Sequence, residues 1–252
     1  MKRWKDEVAV ITGASSGIGR ATALAFAEAG ARVAVSDVQD TAGEQIAREI
    51  RERGSEAVFI HADVSQASEA SALIEKVLQR FGRLDFAFNN AGIEGEMATT
   101  VDCTEQNFDR VIAVNLKGIW LCMRSELEHM LKRGAGAIVN CSSVAGLVGF
   151  PQLPAYAASK HGVIGLTRAA ALECGKSGVR INAVCPGAIR TPMLDRIMSS
   201  TADMNRQLVA SEPIGRLGKP EEIGKAVVWL CSDDASFVTG HALAVDGGWV
   251  AQ

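Results

Sequence analysis

Short, unbroken apolar runs alternate along the chain with longer stretches in which apolar side chains recur every three or four positions. The runs at 8–11, 33–35, 57–61, 84–88, 137–141, 179–184 and 242–245 are apolar at successive positions. Side chains on a strand point alternately to opposite faces, so such runs suit strands covered on both faces of a parallel sheet. The intervening stretches at about 20–29, 41–53, 68–81, 104–131, 156–174 and 220–231 carry the helical spacing and predict helices. Parallel strands need such crossovers. The pattern therefore predicts an α/β fold, a doubly wound parallel sheet of about seven strands with helices on both faces. No repeat or long linker interrupts it, so residues 1–252 are read as one domain.

Local breakers sharpen the boundaries. Gly30 stands where the first helix should stop, Thr104 where the long fourth one should be capped, and Pro220 at a first helical turn. Residues 193–218 have no clean period and are rich in Met, Ser and polar residues, which predicts a mobile substrate lid.

Composition narrows the function. The formal charge of -3 comes with no basic block, which disfavours nucleic acid or an anionic membrane as partner. No run approaches the roughly 18 apolar residues of a membrane span, and Asp6 and Glu7 fall where a signal peptide would need apolar residues, so a cytoplasmic location is expected. Six scattered cysteines, none in a Cys-x-x-Cys pair, read as reduced packing residues. The four histidines share no ligand spacing with one another or with the cysteines, so no metal is expected.

The chemistry sits where strands end. The first strand runs into Thr12-Gly13-Ala14-Ser15-Ser16-Gly17-Ile18-Gly19, and a helix follows at once. Glycines there let the backbone approach a pyrophosphate, while free N–H groups and the helix dipole hold the anion. Asp37, 18 residues after Gly19, is placed to accept hydrogen bonds from a ribose and to repel a 2′-phosphate, favouring NAD over NADP; it could instead cap a turn. Asp63-Val64 and Asn89-Asn90-Ala91-Gly92 follow later strands, and the asparagines either face a cofactor or tie the loops down. Asn115 lies among apolar neighbours in a helix and must have partners, holding either a kink or an ordered water. Ser142-Ser143 ends the fifth strand, and 185–192 forms another loop at the same edge. The chain's one tyrosine, Tyr156, precedes Lys160 by a helical turn, which puts both on one face. A neighbouring ammonium favours the phenolate, so the pair can exchange a proton.

Taken together, Thr12-Gly13-x-x-x-Gly17-x-Gly19, Asn89-Asn90-Ala91-Gly92, Asn115, Ser143, Tyr156-x-x-x-Lys160, Pro186-Gly187 and Asp246-Gly247-Gly248 resemble the short-chain dehydrogenase/reductase family over almost the whole chain. The resemblance implies a Rossmann-type domain and hydride transfer between a nicotinamide and a secondary alcohol or ketone. It makes Tyr156 the acid/base, with Lys160 lowering its pKa and binding the nicotinamide ribose. Ser143, thirteen residues before the tyrosine, would bond the substrate oxygen, and Asn115 would anchor a water linked to Lys160. Cofactor contacts are implied for Gly13, Ser15, Ser16, Gly17, Ile18, Gly19, Asp37, Asp63, Val64, Asn90, Ala91, Gly92, Tyr156, Lys160, Pro186, Gly187, Ile189 and Thr191. Assembly as a homotetramer, through the helices around 105–131 and 156–174 and the last strand, is also implied.

For the substrate, Glu94, Glu96, Val144, Leu147, Val148, Phe150, Leu153 and Met193 are the expected pocket residues. This mostly apolar set with two acids suits a medium-sized ketone, polyol, sugar or hydroxysteroid-like molecule. The pattern is also similar to 3-oxoacyl-[acyl-carrier-protein] reductases, although Asp37 and the net charge of -3 speak against that role. A non-catalytic nucleotide sensor or scaffold would not need the full set Asn115, Ser143, Tyr156 and Lys160.

Overall fold

A computed structural model describes residues 4–198, 209–210 and 212–251. Seven strands, β1 (Val8–Thr12), β2 (Arg32–Asp37), β3 (Ala57–His61), β4 (Phe86–Asn89), β5 (Gly136–Cys141), β6 (Val179–Pro186) and β7 (Ala242–Val245), form one parallel sheet ordered β3-β2-β1-β4-β5-β6-β7. The order reverses between β1 and β4, and there the loops diverge to leave a crevice at the carboxyl ends. The helices are α1 (Gly17–Ala29), α2 (Asp40–Glu52), α3 (Ala67–Phe81), α4 (Glu105–Ile112), α5 (Gly118–Arg133), α6 (Pro154–Cys174), α7 (Pro192–Met198) and α8 (Pro220–Cys231).

The strands divide their side chains between two cores. Ala9, Ile11, Val33, Val35, Phe86 and Phe88 pack on one face with α1, α2 and α8. Val8, Val10, Ala34, Ala87, Ile138 and Ile181 pack on the other with α3, α5 and α6. Both parities are buried, which is why the runs are apolar without alternation. Some strands outlast their apolar runs: β2 continues through Ser36 and Asp37, both buried and paired in the ladder with β3. β4 begins later than the apolar run at 84–88, because Asp85 is drawn aside to accept the Val8 N–H at 2.8 Å.

The single helix expected over 104–131 is interrupted. Thr104 caps α4 by accepting the Asn107 N–H, but residues Ala113–Lys117 form a π-turn before α5 begins. Asn115 lies at its centre, completely buried. Its Oδ1 accepts the Ile93 N–H at 2.8 Å, and its Nδ2 donates to the Ile93 carbonyl at 2.8 Å and to Ser159 Oγ at 3.3 Å. The side chain thereby clamps the loop after β4 to the widened helical turn.

Two core features were invisible in the apolar pattern. Trp4 reaches back under the sheet, stacking on Phe26 at 5.4 Å and tilted against Phe86 at 4.4 Å. Glu126 of α5 is completely buried, accepting from Asn89 Nδ2 at 3.0 Å. Asn89 also donates to Asn140, which donates to Thr167, so a polar chain joins α5, β4, β5 and α6 beneath the crevice.

Candidate active site

The carboxyl ends of β1, β4, β5 and β6 open onto a cavity of about 660 Å³. One wall carries Tyr156 and Lys160 from the first turns of α6, with Ser142 and Ser143 from the end of β5 beside them. Lys160 is only 3% exposed, and its Nζ donates to the Cys141 carbonyl at 2.8 Å. The same Nζ lies 5.4 Å from the centre of the Tyr156 ring. No carboxylate pairs with this ammonium among the described residues, so its charge is directed at the cavity wall.

The two serines differ. Ser142 is buried, and its hydroxyl donates to the Lys160 carbonyl at 2.8 Å, which commits it to holding α6 against β5. Ser143 accepts the Ala145 N–H at 3.1 Å and keeps its hydrogen available to the cavity. Asn115 is set behind this wall: a Cβ built on Gly92 would stand 3.3 Å from Asn115 Oδ1 and 3.6 Å from Lys160 Nζ.

The glycine turn closes the other side. Gly13 and Gly17 have φ of +63° and +51°, which favour glycine, and α1 begins without a side-chain cap. The N–H groups of Gly17, Ile18 and Gly19 therefore open at the cavity end of the helix, where Ile18 lines the wall. Ser15 donates its N–H and hydroxyl to Asp37 Oδ2 at 3.0 and 2.6 Å, and Gln39 N–H bonds Oδ1 at 3.1 Å. Asp37 thus caps a turn as well as standing at the strand end. Asp63 accepts from Ser65, and Val64 packs under Gly118 of α5, both beyond β3 at the same edge. Asn90 and Gly92 line the cavity, but the Asn90 amide is spent on the Thr12 and Gly13 carbonyls, tying the glycine turn to β4; Ala91 donates its N–H to Thr12 Oγ1. Asn89 is wholly inside the core. Pro186, Gly187, Ile189 and Thr191 complete this half of the wall.

Of the expected substrate pocket, Glu94, Val144, Phe150, Leu153 and Met193 line the cavity. Glu96, Leu147 and Val148 do not: Glu96 turns outward to Arg110, 3.8 Å away, and Val148 is exposed on the loop after β5. Trp249 lines the cavity and packs on Phe150 at 5.8 Å, joined by Met97 and Leu194. Sequence reasoning missed these three; an aromatic beside the glycine pair 247–248 was the only signal. Burial pushes the Glu94 carboxyl up, but Arg196, bonded at 2.9 and 3.2 Å, holds it below the ordinary range. Residues 199–208 and 211, part of the expected lid, lie outside the described residues; 192–198 form α7.

Residues 13–250 match a family model described as enoyl-(acyl carrier protein) reductase, and the chain belongs to the short-chain dehydrogenase/reductase family. It is an oxidoreductase of the alcohol dehydrogenase and carbonyl reductase type within that family. It is 44% identical over 243 residues to a 2,5-dichloro-2,5-cyclohexadiene-1,4-diol dehydrogenase of Sphingobium indicum, covering 96% of each chain. A cyclohexanol dehydrogenase of an Acinetobacter species is 43% identical over 250 residues, 99% of this chain and 97% of that one. The crystal structure of levodione reductase superposes with a TM-score of 0.95 at 41% identity, covering 99% of both chains.

Proposed function

We propose that the enzyme transfers hydride between NAD(H) and a secondary alcohol or ketone carried on a small alicyclic ring. The observation that carries the reading is the buried Lys160 ammonium, unpaired with any described carboxylate and set against the Tyr156 ring at the cavity wall. A buried cation without a counter-ion is costly unless a developing negative charge uses it. Tyr156 then gives its phenolic proton to the carbonyl oxygen or takes it from the alcohol, and Lys160 stabilises negative charge on the phenolic oxygen in between. Ser143 donates the hydrogen it does not spend elsewhere to the same substrate oxygen. Asn115 keeps the π-turn and the loop after β4 in place behind Lys160.

The glycine turn, the uncapped start of α1 and the adjoining acids fit a nicotinamide dinucleotide, whose C4 supplies or accepts the hydride when bound. Asp37 would face the adenosine ribose and reject a 2′-phosphate, so NAD is preferred. Asp63 and Val64 flank the adenine, and Pro186, Gly187, Ile189 and Thr191 the nicotinamide end. Phe150, Trp249, Leu153 and Val144 make the substrate side apolar, and the named cyclic alcohols of the relatives suit such a wall. Phe108, Trp120, Leu131 and Leu172 leave apolar side chains outside on α4, α5 and α6, which supports a homotetramer through these helices and β7. Six free cysteines, five of them buried, suit the cytoplasm.

Turnover of cyclohexanol and cyclohexanone with NAD(H) tests the reading. Tyr156→Phe is expected to cut kcat by at least about 10²-fold while NADH still binds. Near-normal turnover in that variant would overturn the assignment of Tyr156.

A further inference from the structure

β6 ends in Pro186, and the following Gly187 and Ala188 form part of the cavity wall. What holds this turn is a carboxylate from a distant part of the chain. Glu212 is 3% exposed, and its Oε1 accepts the Ala188 N–H at 2.6 Å across 24 positions. A Cβ on Gly187 would stand 2.7 Å from that same oxygen, and one on Gly247 would collide with Oε2. The carboxylate therefore fills a slot that two glycine backbones leave open, one after β6 and one after β7. The slot is tied further by Gly187 N–H to the Val245 carbonyl at 3.2 Å and Ile214 N–H to the Gly247 carbonyl at 3.1 Å.

The electrostatics do not favour the arrangement by themselves. Burial, with Asp246 nearby, pushes the Glu212 carboxyl up, while the Ala188 amide and Arg216 pull the other way. Arg216 is itself bonded to Glu222 at 2.9 and 2.7 Å. Asp246 spends its oxygens on the Gly248 and Val250 amides at 3.0 and 2.9 Å. A buried acid beside another acid, bonded at short range to one amide of the cavity wall, points to a demand for geometry at that amide.

We propose that Glu212 is a positioning residue that fixes the Gly187–Ala188 turn so that its backbone meets the nicotinamide end of the bound cofactor. The proposal rests on the cofactor reading given above. Reach is then what matters, and charge is secondary: Gln at 212 keeps an acceptor at the same distance, whereas Asp is one methylene too short.

The test measures NADH affinity by fluorescence titration, kcat and KM for NADH, and Tm, in wild type, Glu212→Asp and Glu212→Gln. Expected are an NADH affinity about tenfold weaker and a raised KM for Glu212→Asp at nearly unchanged Tm, with Glu212→Gln within about twofold of wild type. Wild-type affinity in both variants, or losses that merely follow Tm in both, would overturn the proposal and leave the cofactor reading intact. Failure of wild type to bind NADH would overturn both. Amide exchange supplies a reading that needs no variant: the Ala188 N–H of wild type must exchange slowly and be slowed further by NADH, and fast exchange sinks the proposal.

Discussion

Glu126 is a carboxylic acid with no cation. Its Oε2 takes one hydrogen bond from Asn89, and neither Glu126 Oε1 nor Asn89 Oδ1 has a partner among the described residues. Burial pushes its pKa up to about 8, despite the Asn89 bond, so the acid is largely neutral at pH 7. Because the folded value lies above the unfolded carboxylate's, its contribution to stability is complete below about pH 4 and is lost as pH rises toward about 8. Glu126→Gln should flatten that slope, so the Tm of the variant gains on wild type between about pH 5 and 8, by at most about 1.4 kcal/mol per pH unit. Parallel Tm curves would show that Glu126 titrates alike in both states. The two serines separate a holding role from a reacting one. Ser142→Ala should lower stability by about 1 kcal/mol and leave most turnover, and Ser143→Ala should lower kcat by about 10²-fold with Tm unchanged, as thermal melts and steady-state rates would show.

At the scale of elements, the strands were the most legible part because burial on both faces writes itself as an unbroken apolar run. The ends were less legible, since ladder bonding carries β2 through Ser36 and Asp37 regardless of polarity. The π-turn was announced only by Asn115, an amide in apolar company; that it clamps Ile93 depends on a contact across 22 positions. Glu126 did carry a signal, standing seven positions after Ile119 and four before Met130 on the buried face of α5, but a lone acid in a helix reads as solvated. Trp4, Glu212 and Trp249 had no local pattern at all. The catalytic and glycine positions were legible as a constellation and fall around one cavity, whereas Glu96, Leu147 and Val148 were chosen by proximity in sequence, which does not say which way a loop turns. Asn115→Ala should cost about 2–3 kcal/mol by orphaning the Ile93 amide and carbonyl, and turnover should fall with it. Trp4→Ala should cost about 3–4 kcal/mol while leaving KM values alone, since its stack lies within the core of the α1 face, away from the cavity lining.

For the whole molecule, the apolar residues left outside decide assembly. Leu172 on α6 is 88% exposed, and Trp120 on α5, at 42%, is covered only by the Arg124 guanidinium 5.4 Å from its ring. If these faces join subunits, Leu172→Glu combined with Trp120→Glu should reduce the sedimenting mass to dimer or monomer. An unchanged tetramer would place the interface elsewhere, and a monomeric wild type would remove it.

The widened turn at 113–117 also governs how this chain can change length. A π-turn accommodates one more residue than a regular helix does, and a residue in an α-helix corresponds to about 100° of rotation and 1.5 Å of rise. Loss of a single residue there would straighten the helix but leave everything on one side of the gap out of phase, swinging either Asn115 off Ile93 or Glu126 off Asn89. Homologous chains that keep this clamp should thus vary freely in the identity of outward-facing residues between 105 and 133, yet carry no insertion or deletion within that span.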